Sequence, residues 1–122
     1  MNIIYYTGRK IMLNDEKSDI LVDKDGALIR VGGDENIYNE LMELFLQSSS
    51  EQIDELKEAV RKRESDEIKR LAHSIKGAAA NLGILHVQKT AYDLELIGAE
   101  NRIQEASKSL NSLIKELERF KN

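Results

Sequence analysis

The residues with the clearest chemical potential lie together in the stretch from residue 71 to residue 83. His73 is followed by Lys76 and Gly77 at three and four positions. An imidazole can act as a nucleophile near neutral pH, and an ammonium group one helical turn away can hold an anion. The sequence has no cysteine, and the other histidine, His86, has no partner at metal-ligand spacing. The composition therefore excludes thiolate chemistry, and the spacing of the two histidines argues against a metal site.

Apolar spacing around His73 predicts a helix that buries the face opposite the histidine. At about 100° per residue, one side of this helix carries its apolar residues, which are Ile68, Leu71, Ala72, Ile75, Ala78, Ala79 and Leu82. His73 lies on the other side, together with Gly77 and Ala80. A glycine within a helix costs about 1 kcal/mol relative to alanine. Gly77 is therefore either simply tolerated or leaves an open approach to the imidazole.

These residues match the signature His-x-x-Lys-Gly-x5-Gly, which His73, Lys76, Gly77 and Gly83 fill. In this the chain resembles histidine-containing phosphotransfer (HPt) domains, the four-helix modules of multistep phosphorelays and chemotaxis kinases. The similarity runs from about residue 23 to the C-terminus and includes two further segments, Gly32-Gly33-Asp34 and Leu94-Glu95. The resemblance implies that His73 is the phosphorylated residue.

Length and composition indicate one helical domain. The chain has 122 residues, no proline, 5% aromatic and 33% charged residues, a composition that favours helices. Its net charge of −4 argues against nucleic acid as a partner. A membrane-spanning helix needs about 20 apolar residues, and no apolar run in the sequence comes near that length. No signal-peptide pattern is present. We expect a cytoplasmic monomer with no membrane insertion.

The chain divides into an N-terminal extension of uncertain structure, residues 1–22, and a bundle domain, residues 23–122. In the extension, apolar runs at residues 3–6 and 11–13 surround a turn-like segment and allow a hairpin. Because an isolated hairpin is marginally stable, it must dock on the bundle or fray. It could equally be a remnant of a longer parent protein or a partner-docking element.

The bundle domain is predicted to contain one short and four longer helices. Asp23 caps a short helix that ends near residue 31, and Asp34 caps a long helix that ends near residue 62. Ser65 caps the histidine helix, and Gly83 ends it as a left-handed residue. Two more helices follow at residues 85–97 and 102–120, joined by residues 98–101. Short connections make these helices antiparallel neighbours, so we expect an all-α, up-and-down four-helix bundle with a short extra N-terminal helix.

Helical spacing also assigns inner positions to the other long helices. In the helix from Asp34 the apolar residues are Ile37, Leu41, Leu44, Phe45, Ile53, Leu56 and Val60. In the helix after Gly83 they are Leu85, Ala91 and Leu94, with Tyr92 as a further candidate. In the last helix they are Ile103, Ala106, Leu110, Leu113, Ile114 and Leu117.

Antiparallel packing predicts a partner for His73. His73 lies ten residues before Gly83 and Glu95 lies twelve after it, so the two side chains stand at nearly the same height. The carboxylate would accept a hydrogen bond from Nδ1–H and leave Nε2 as the free nucleophile, a role that the resemblance also implies for Glu95. Alternatively, Glu95 is a solvated charge paired with Lys89 or Arg102.

Three basic residues flank His73 on its exposed side: Lys69, Arg70 and Lys76. Such a cluster is often only a solvated face of mixed charge. The resemblance implies instead that it docks the acidic, Mg²⁺-binding pocket of a response-regulator receiver domain. Lys76 would then hold a phosphoryl oxygen, while Gly77 and Ala80 would let the receiver come close.

The resemblance implies a histidine phosphotransfer protein that accepts a phosphoryl group on His73 from a receiver aspartate and passes it to another receiver. The partners would be response-regulator receiver domains, a hybrid histidine kinase, or both. The sequence has no Walker loop and no kinase Gly-rich loop, so we expect no ATP-dependent kinase activity and no cofactor beyond Mg²⁺ on the partner. Two alternatives stay open: the phosphoacceptor domain of a chemotaxis-type histidine kinase, and a non-catalytic helical adaptor.

Overall fold

The computed structural model describes residues 2–6, 9–13 and 21–120, with side chains from residue 22 onwards. Its strands and α-helices are β1 (Asn2–Tyr6), β2 (Arg9–Leu13), β3 (Leu21–Val22), α1 (Lys24–Arg30), α2 (Glu35–Arg61), α3 (Ser65–Leu82), α4 (Leu85–Ala99) and α5 (Ala106–Glu118). Helices α2, α3, α4 and α5 pack in a closed order, with α5 also against α2. This arrangement confirms the predicted four-helix bundle, with α1 as the short extra helix. Within the described segments, no helix is both long enough and apolar enough to cross a membrane.

A small antiparallel sheet precedes the bundle. Strands β1 and β2 pair with Tyr6 opposite Arg9, as the hairpin interpretation expected, and β3 pairs with β2 on its other side. The predicted turn at residues 7 and 8 lies outside the described residues. Val22 of β3 bridges to Ile84 at the start of α4, so β3 is joined directly to the helical bundle.

Two of the predicted helix caps are confirmed. The Asp23 carboxylate accepts a hydrogen bond from the backbone N–H of Gly26 in the first turn of α1, at 3.1 Å. The Asp34 carboxylate accepts from the backbone N–H groups of Asn36 and Ile37, at 2.9 and 3.2 Å. Both aspartates satisfy amide donors that a helix start leaves without intrahelical partners.

Gly83 ends α3 in the left-handed conformation that was predicted, with φ 72°. Its carbonyl accepts a 2.8 Å hydrogen bond from the backbone N–H of Asp23. A Cβ atom at this position would overlap the backbone of Asp23. The turn between α3 and α4 is therefore packed against the start of α1, and only glycine fits there without rearrangement.

The start of α3 differs from the prediction. Glu64 holds the N-cap position without a side-chain hydrogen bond, and Ser65 is the first residue of the helix. The Ser65 hydroxyl donates to the side-chain oxygen of Asn101, in the connection after α4. The prediction that Ser65 caps α3 is wrong because this tertiary hydrogen bond holds the hydroxyl.

The bundle core contains the predicted inner face of α3. Fully buried side chains of at least valine size in this core include Leu56, Ile68, Leu71, Ile75, Ile84, Val87, Leu94 and Leu113. On α2, in contrast, Ile37, Leu41 and Leu44 are exposed, while Tyr38 and Phe45 turn inward. The first half of α2 therefore carries a second apolar stripe that faces solvent.

Helix α4 also departs from the prediction at two positions. Tyr92 is 46% exposed and does not enter the core. Gly98, which was predicted to lie in the connection after the helix, is a buried residue within α4. The last helix begins later than expected, because a 3-10 turn at Ile103–Glu105 precedes α5.

Candidate functional site

The structure presents His73 to solvent from the middle of α3. Its side chain is 65% exposed, whereas its neighbours Leu71, Ala72 and Ile75 are completely buried or nearly so. The amphipathic spacing of α3 produces this placement, because the apolar side is fixed against the core. The imidazole is therefore held on a rigid helix and open to a reaction partner.

Glu95 lies directly behind the imidazole, where the antiparallel packing of α3 and α4 predicted it. Its Oε2 atom lies 2.9 Å from His73 Nδ1, and its Oε1 atom lies 2.7 Å from Lys76 Nζ. The Glu95 side chain is only 14% exposed and that of Lys76 25%. One largely buried carboxylate thus joins a ring nitrogen and an ammonium group from the same face of α3.

The charge state of Glu95 determines the tautomer of His73. Burial raises the pKa of Glu95, but the interactions of its carboxylate with Lys76 and His73 outweigh burial and hold the pKa below its ordinary value. The carboxylate is therefore ionised at neutral pH and can only accept hydrogen bonds. His73 must donate from Nδ1, which leaves the lone pair of the neutral ring on Nε2.

The alternative partners considered for Glu95 are engaged elsewhere. Lys89 pairs with Asp93, with 3.5 Å between Nζ and Oδ2. Arg102 pairs with Glu100 and Glu105 at 2.7 and 2.9 Å. The interpretation of Glu95 as a charge paired with Lys89 or Arg102 is therefore wrong.

One of the basic residues that flank His73, Arg70, already takes part in ion pairs within the protein. Lys69 and Arg70 line a shallow depression of about 480 Å³ together with Asp66, His73 and Glu95. Arg70 forms a two-pronged ion pair with Glu67, at 2.7 and 2.8 Å. It also lies 3.8 Å from Glu55 on α2. The positive charge of Arg70 is therefore partly neutralised within the protein itself.

Gly77 has an open surface above it. A Cβ atom built at this residue would find no atom within 4 Å outside its own chain neighbours and helix backbone. Packing thus gives no reason for the glycine. Ala80, which was expected to let a receiver come close together with Gly77, is partly buried.

Sequence reasoning missed the contact that brings α3 and α4 together. A Cβ atom at Gly98 would lie 2.8 Å from the Ser65 carbonyl oxygen and 2.8 Å from the Lys69 nitrogen. Gly98 is one turn after Glu95, and Lys69 is one turn before His73. The close backbone approach at Gly98 therefore sets the helix separation that the His73–Glu95 hydrogen bond needs. A glycine close to the end of a predicted helix was the available signal, and it was interpreted as a connection.

A second feature that was missed is an apolar groove beside the histidine. It has a volume of about 270 Å³, and the residues that line it are Leu41, Leu44, Phe45, Ser48, Gln52, Ser74, Ala78, Asn81 and Leu82. Ser74 follows the histidine directly, and its hydroxyl accepts a 2.7 Å hydrogen bond from the Gln52 amide. Leu44 is 60% exposed at the rim. The signal in the sequence was the presence of two apolar stripes on one helix, α2.

The described part of the chain contains no cluster of three or more histidine, cysteine or acidic residues suited to a metal ion. The site instead consists of one exposed imidazole, one largely buried carboxylate and one ammonium group. Its chemical capacity is to accept an electrophilic group at Nε2 of His73 and to neutralise negative charge beside it.

Comparison with known proteins agrees with this geometry. The sequence model of the Hpt domain family matches residues 40–122. Among solved structures, the chain is similar to histidine-containing phosphotransfer protein B (HptB) from Pseudomonas aeruginosa PAO1, with a TM-score of 0.72 and 22% identity over 79% of this chain and 84% of that one. At this level of identity the likeness shows a shared fold. Comparison with curated proteins finds no match.

Proposed function

The chain belongs to the Hpt domain family, and we propose that His73 carries the phosphoryl group of its phosphorelay on the Nε2 atom. The observation that supports this assignment is the 2.9 Å hydrogen bond from Nδ1 to an ionised Glu95, on a ring that is otherwise open to solvent. The protein is a histidine phosphotransfer protein.

The transfer step requires only a positioned nucleophile. The lone pair of Nε2 attacks the phosphorus atom of a receiver's aspartyl phosphate, in line with the bond to the aspartate oxygen. The P–N bond forms as that P–O bond breaks, and the aspartate carboxylate leaves with the electron pair. The proton stays on Nδ1, so the ring acquires positive charge that Glu95 stabilises. The same path in reverse passes the group to a second receiver.

Lys76 supplies positive charge next to the transferred group. It lies one helical turn after His73 on the same exposed side of α3, and its ammonium is already fixed against Glu95 at 2.7 Å. An ammonium so placed can donate a charge-assisted hydrogen bond to a phosphoryl oxygen. We assign to Lys76 the neutralisation of negative charge on the phosphoryl group.

The docking surface for the receiver combines charge and apolar area. Lys69 and Arg70 border the depression around His73 on one side, and the groove at Leu41 and Leu44 borders it on the other. Basic residues complement the acidic pocket of a receiver domain, and exposed leucines supply the apolar contact that a specific interface needs. Between these two parts, Gly77 has no side chain that would obstruct the receiver.

We further propose that the Mg²⁺ ion of the reaction is held by the receiver and that this protein acts as a monomer in the cytoplasm. The absence of cysteine from the sequence fits a reducing compartment. Light scattering at micromolar concentration, with and without a receiver domain, tests the monomer and the expected one-to-one complex.

The proposed function is tested by transfer from a phosphorylated receiver domain followed on Phos-tag gels. Wild type is expected to gain an acid-labile, base-stable phosphoryl group, whereas His73→Gln gains none. His86→Gln is the matched control, because it removes the other histidine and should accept phosphate like wild type. Transfer to His73→Gln at the wild-type rate, or none to either protein from any receiver, would support the adaptor alternative.

A chemotaxis-type phosphoacceptor domain would also gain no phosphoryl group from a receiver, and incubation with a separate kinase domain and ATP distinguishes it from an adaptor. It would be phosphorylated on His73 by a separate ATP-dependent kinase domain rather than from a receiver. Direct incubation with ATP alone is expected to leave the protein unmodified in either case.

A further inference from the structure

Tyr92 is a large aromatic residue with no part in the core. It lies on α4 three residues before Glu95, and 46% of its surface is exposed. The centroid of its ring lies 5.1 Å from Lys76 Nζ. This distance is within the range at which the face of an aromatic ring attracts an ammonium group. The Tyr92 ring therefore contacts a residue of the candidate site and does not pack into the protein core.

Lys76 is held from two directions. Glu95 binds Nζ through an oxygen at 2.7 Å, while the Tyr92 ring lies at 5.1 Å from the same atom. Both partners come from α4, one turn apart, and they reach across to α3. A free lysine side chain loses rotamer entropy when it is fixed. Restraint by Tyr92 and Glu95 imposes that loss before the phosphoryl group arrives.

We propose that Tyr92 is a positioning residue for phosphoryl transfer, which holds the Lys76 ammonium beside His73 through its ring face. This inference rests on the proposed function of His73 and Lys76. Glu95 alone would leave the ammonium free to follow the carboxylate or to swing into solvent. The ring limits that freedom, and because a π face forms no fixed hydrogen bond, the ammonium can still turn towards a phosphoryl oxygen.

The test uses phosphoramidate, a small phosphoryl donor that needs no docking surface. Rates of His73 phosphorylation are measured by Phos-tag gel for wild type, Tyr92→Leu and Tyr92→Phe. Leucine keeps apolar bulk but lacks the ring face, so Tyr92→Leu should be about three- to fivefold slower. Phenylalanine keeps the ring and should restore the rate to within about twofold of wild type, since the interaction belongs to the ring face.

A double-mutant cycle with Lys76→Ala shows whether Tyr92 acts through the lysine. In the Lys76→Ala background, Tyr92→Leu should cause no further loss, because the group that it positions is gone. Thermal unfolding of each variant checks that the fold is intact. A Tyr92→Leu rate equal to wild type, or an equal loss with and without Lys76, overturns the inference.

The two proposals fail in different ways in this experiment. If wild type is not phosphorylated on His73 by phosphoramidate or by any receiver, the proposed function itself fails. If wild type is phosphorylated and Tyr92→Leu is slow only with a receiver as donor, Tyr92 is a docking residue, and the positioning role is wrong.

Discussion

The proposed reactivity of this protein depends on one carboxylate that contacts two basic side chains. Glu95 accepts a hydrogen bond from His73 Nδ1 with one oxygen and forms an ion pair with Lys76 Nζ through the other. The first contact selects the tautomer with a free Nε2, and the second keeps an ammonium group within reach of the transferred group. Because Glu95 is mostly buried, both contacts act in surroundings where charge is weakly screened.

The lowered pKa of Glu95 predicts how its contribution to stability changes with pH. A carboxyl whose pKa is lower in the folded than in the unfolded state adds stability above its unfolded pKa, about 4.3 for glutamate. That contribution is lost as pH falls through the folded pKa. Wild type should therefore exceed Glu95→Gln in free energy of unfolding more at about pH 5 than at about pH 3.

Urea unfolding of the two proteins at both pH values measures this difference, and the other carboxylates cancel in the comparison. Asp93→Asn is the control, because Asp93 is on the same helix but is half exposed and forms a surface ion pair with Lys89. A difference between wild type and Glu95→Gln that grows on acidification would contradict the ionised, hydrogen-bonded carboxylate.

Among the helices, amphipathic spacing predicted the buried residues best where a helix has one apolar face and least well where it has two. On α3 the apolar residues other than Ala80 lie on one side, and this side is the one that meets the core, with Ala78 partly buried. On α2, Ile37, Leu41 and Leu44 continue a helical pattern equally well but face solvent. Spacing identifies residues that share a face, whereas the neighbouring helices decide which face is covered.

The errors at Ser65 and Gly98 have a common physical cause. Ser65 has the chemistry of a helix cap, and Gly98 that of a helix end. In the structure each is used in a contact between α3 and the end of α4, which no local rule contains. The position of Glu95 beside His73 could be predicted, because it follows from the helix rise and the turn at Gly83. The contacts of Ser65 and Gly98 depend instead on the distance between two helices.

Replacing Gly77 or Gly83 of the signature with alanine should change the free energy of unfolding in opposite directions. Gly83→Ala forces a left-handed backbone on alanine, which costs about 1–2 kcal/mol, and overlaps Asp23 as well. Its free energy of unfolding should fall by more than about 2 kcal/mol. Gly77→Ala meets no neighbour and should raise the free energy of unfolding by about 0.5–1 kcal/mol, since alanine is the better helix former.

Chemical denaturation followed by circular dichroism measures both changes, and transfer from a receiver adds the functional comparison. If Gly77 keeps the approach to His73 open, Gly77→Ala is more stable than wild type but accepts phosphate from a receiver more slowly. A Gly77→Ala protein that is both more stable and equally fast would mean that the glycine has no docking role.

At the scale of the whole molecule, the proposed reaction and the proposed recognition of a receiver use different pairs of helices, which share α3. The chemical groups come from α3 and α4, with His73 and Lys76 on one and Glu95 on the other. The apolar groove lies between α2 and α3, on the other side of the histidine helix. A protein with a net charge of −4 thus has the apolar and basic parts of its proposed docking surface on either side of one residue, His73.

This division predicts that docking can be impaired without loss of the intrinsic reactivity of His73. Leu44→Asp places a charge on the exposed rim of the groove, where a receiver would have to desolvate it. Transfer from a phosphorylated receiver should slow by about tenfold, the effect of a substitution worth about 1.4 kcal/mol at an interface. Phosphorylation by phosphoramidate, which needs no interface, should stay within about twofold of wild type. Asn111→Asp, on an exposed position of α5 outside the groove, adds the same charge and should change neither rate. Equal slowing of both donors by Leu44→Asp would instead mean that the groove supports the structure of α3 around His73, and the receiver would then have to dock elsewhere.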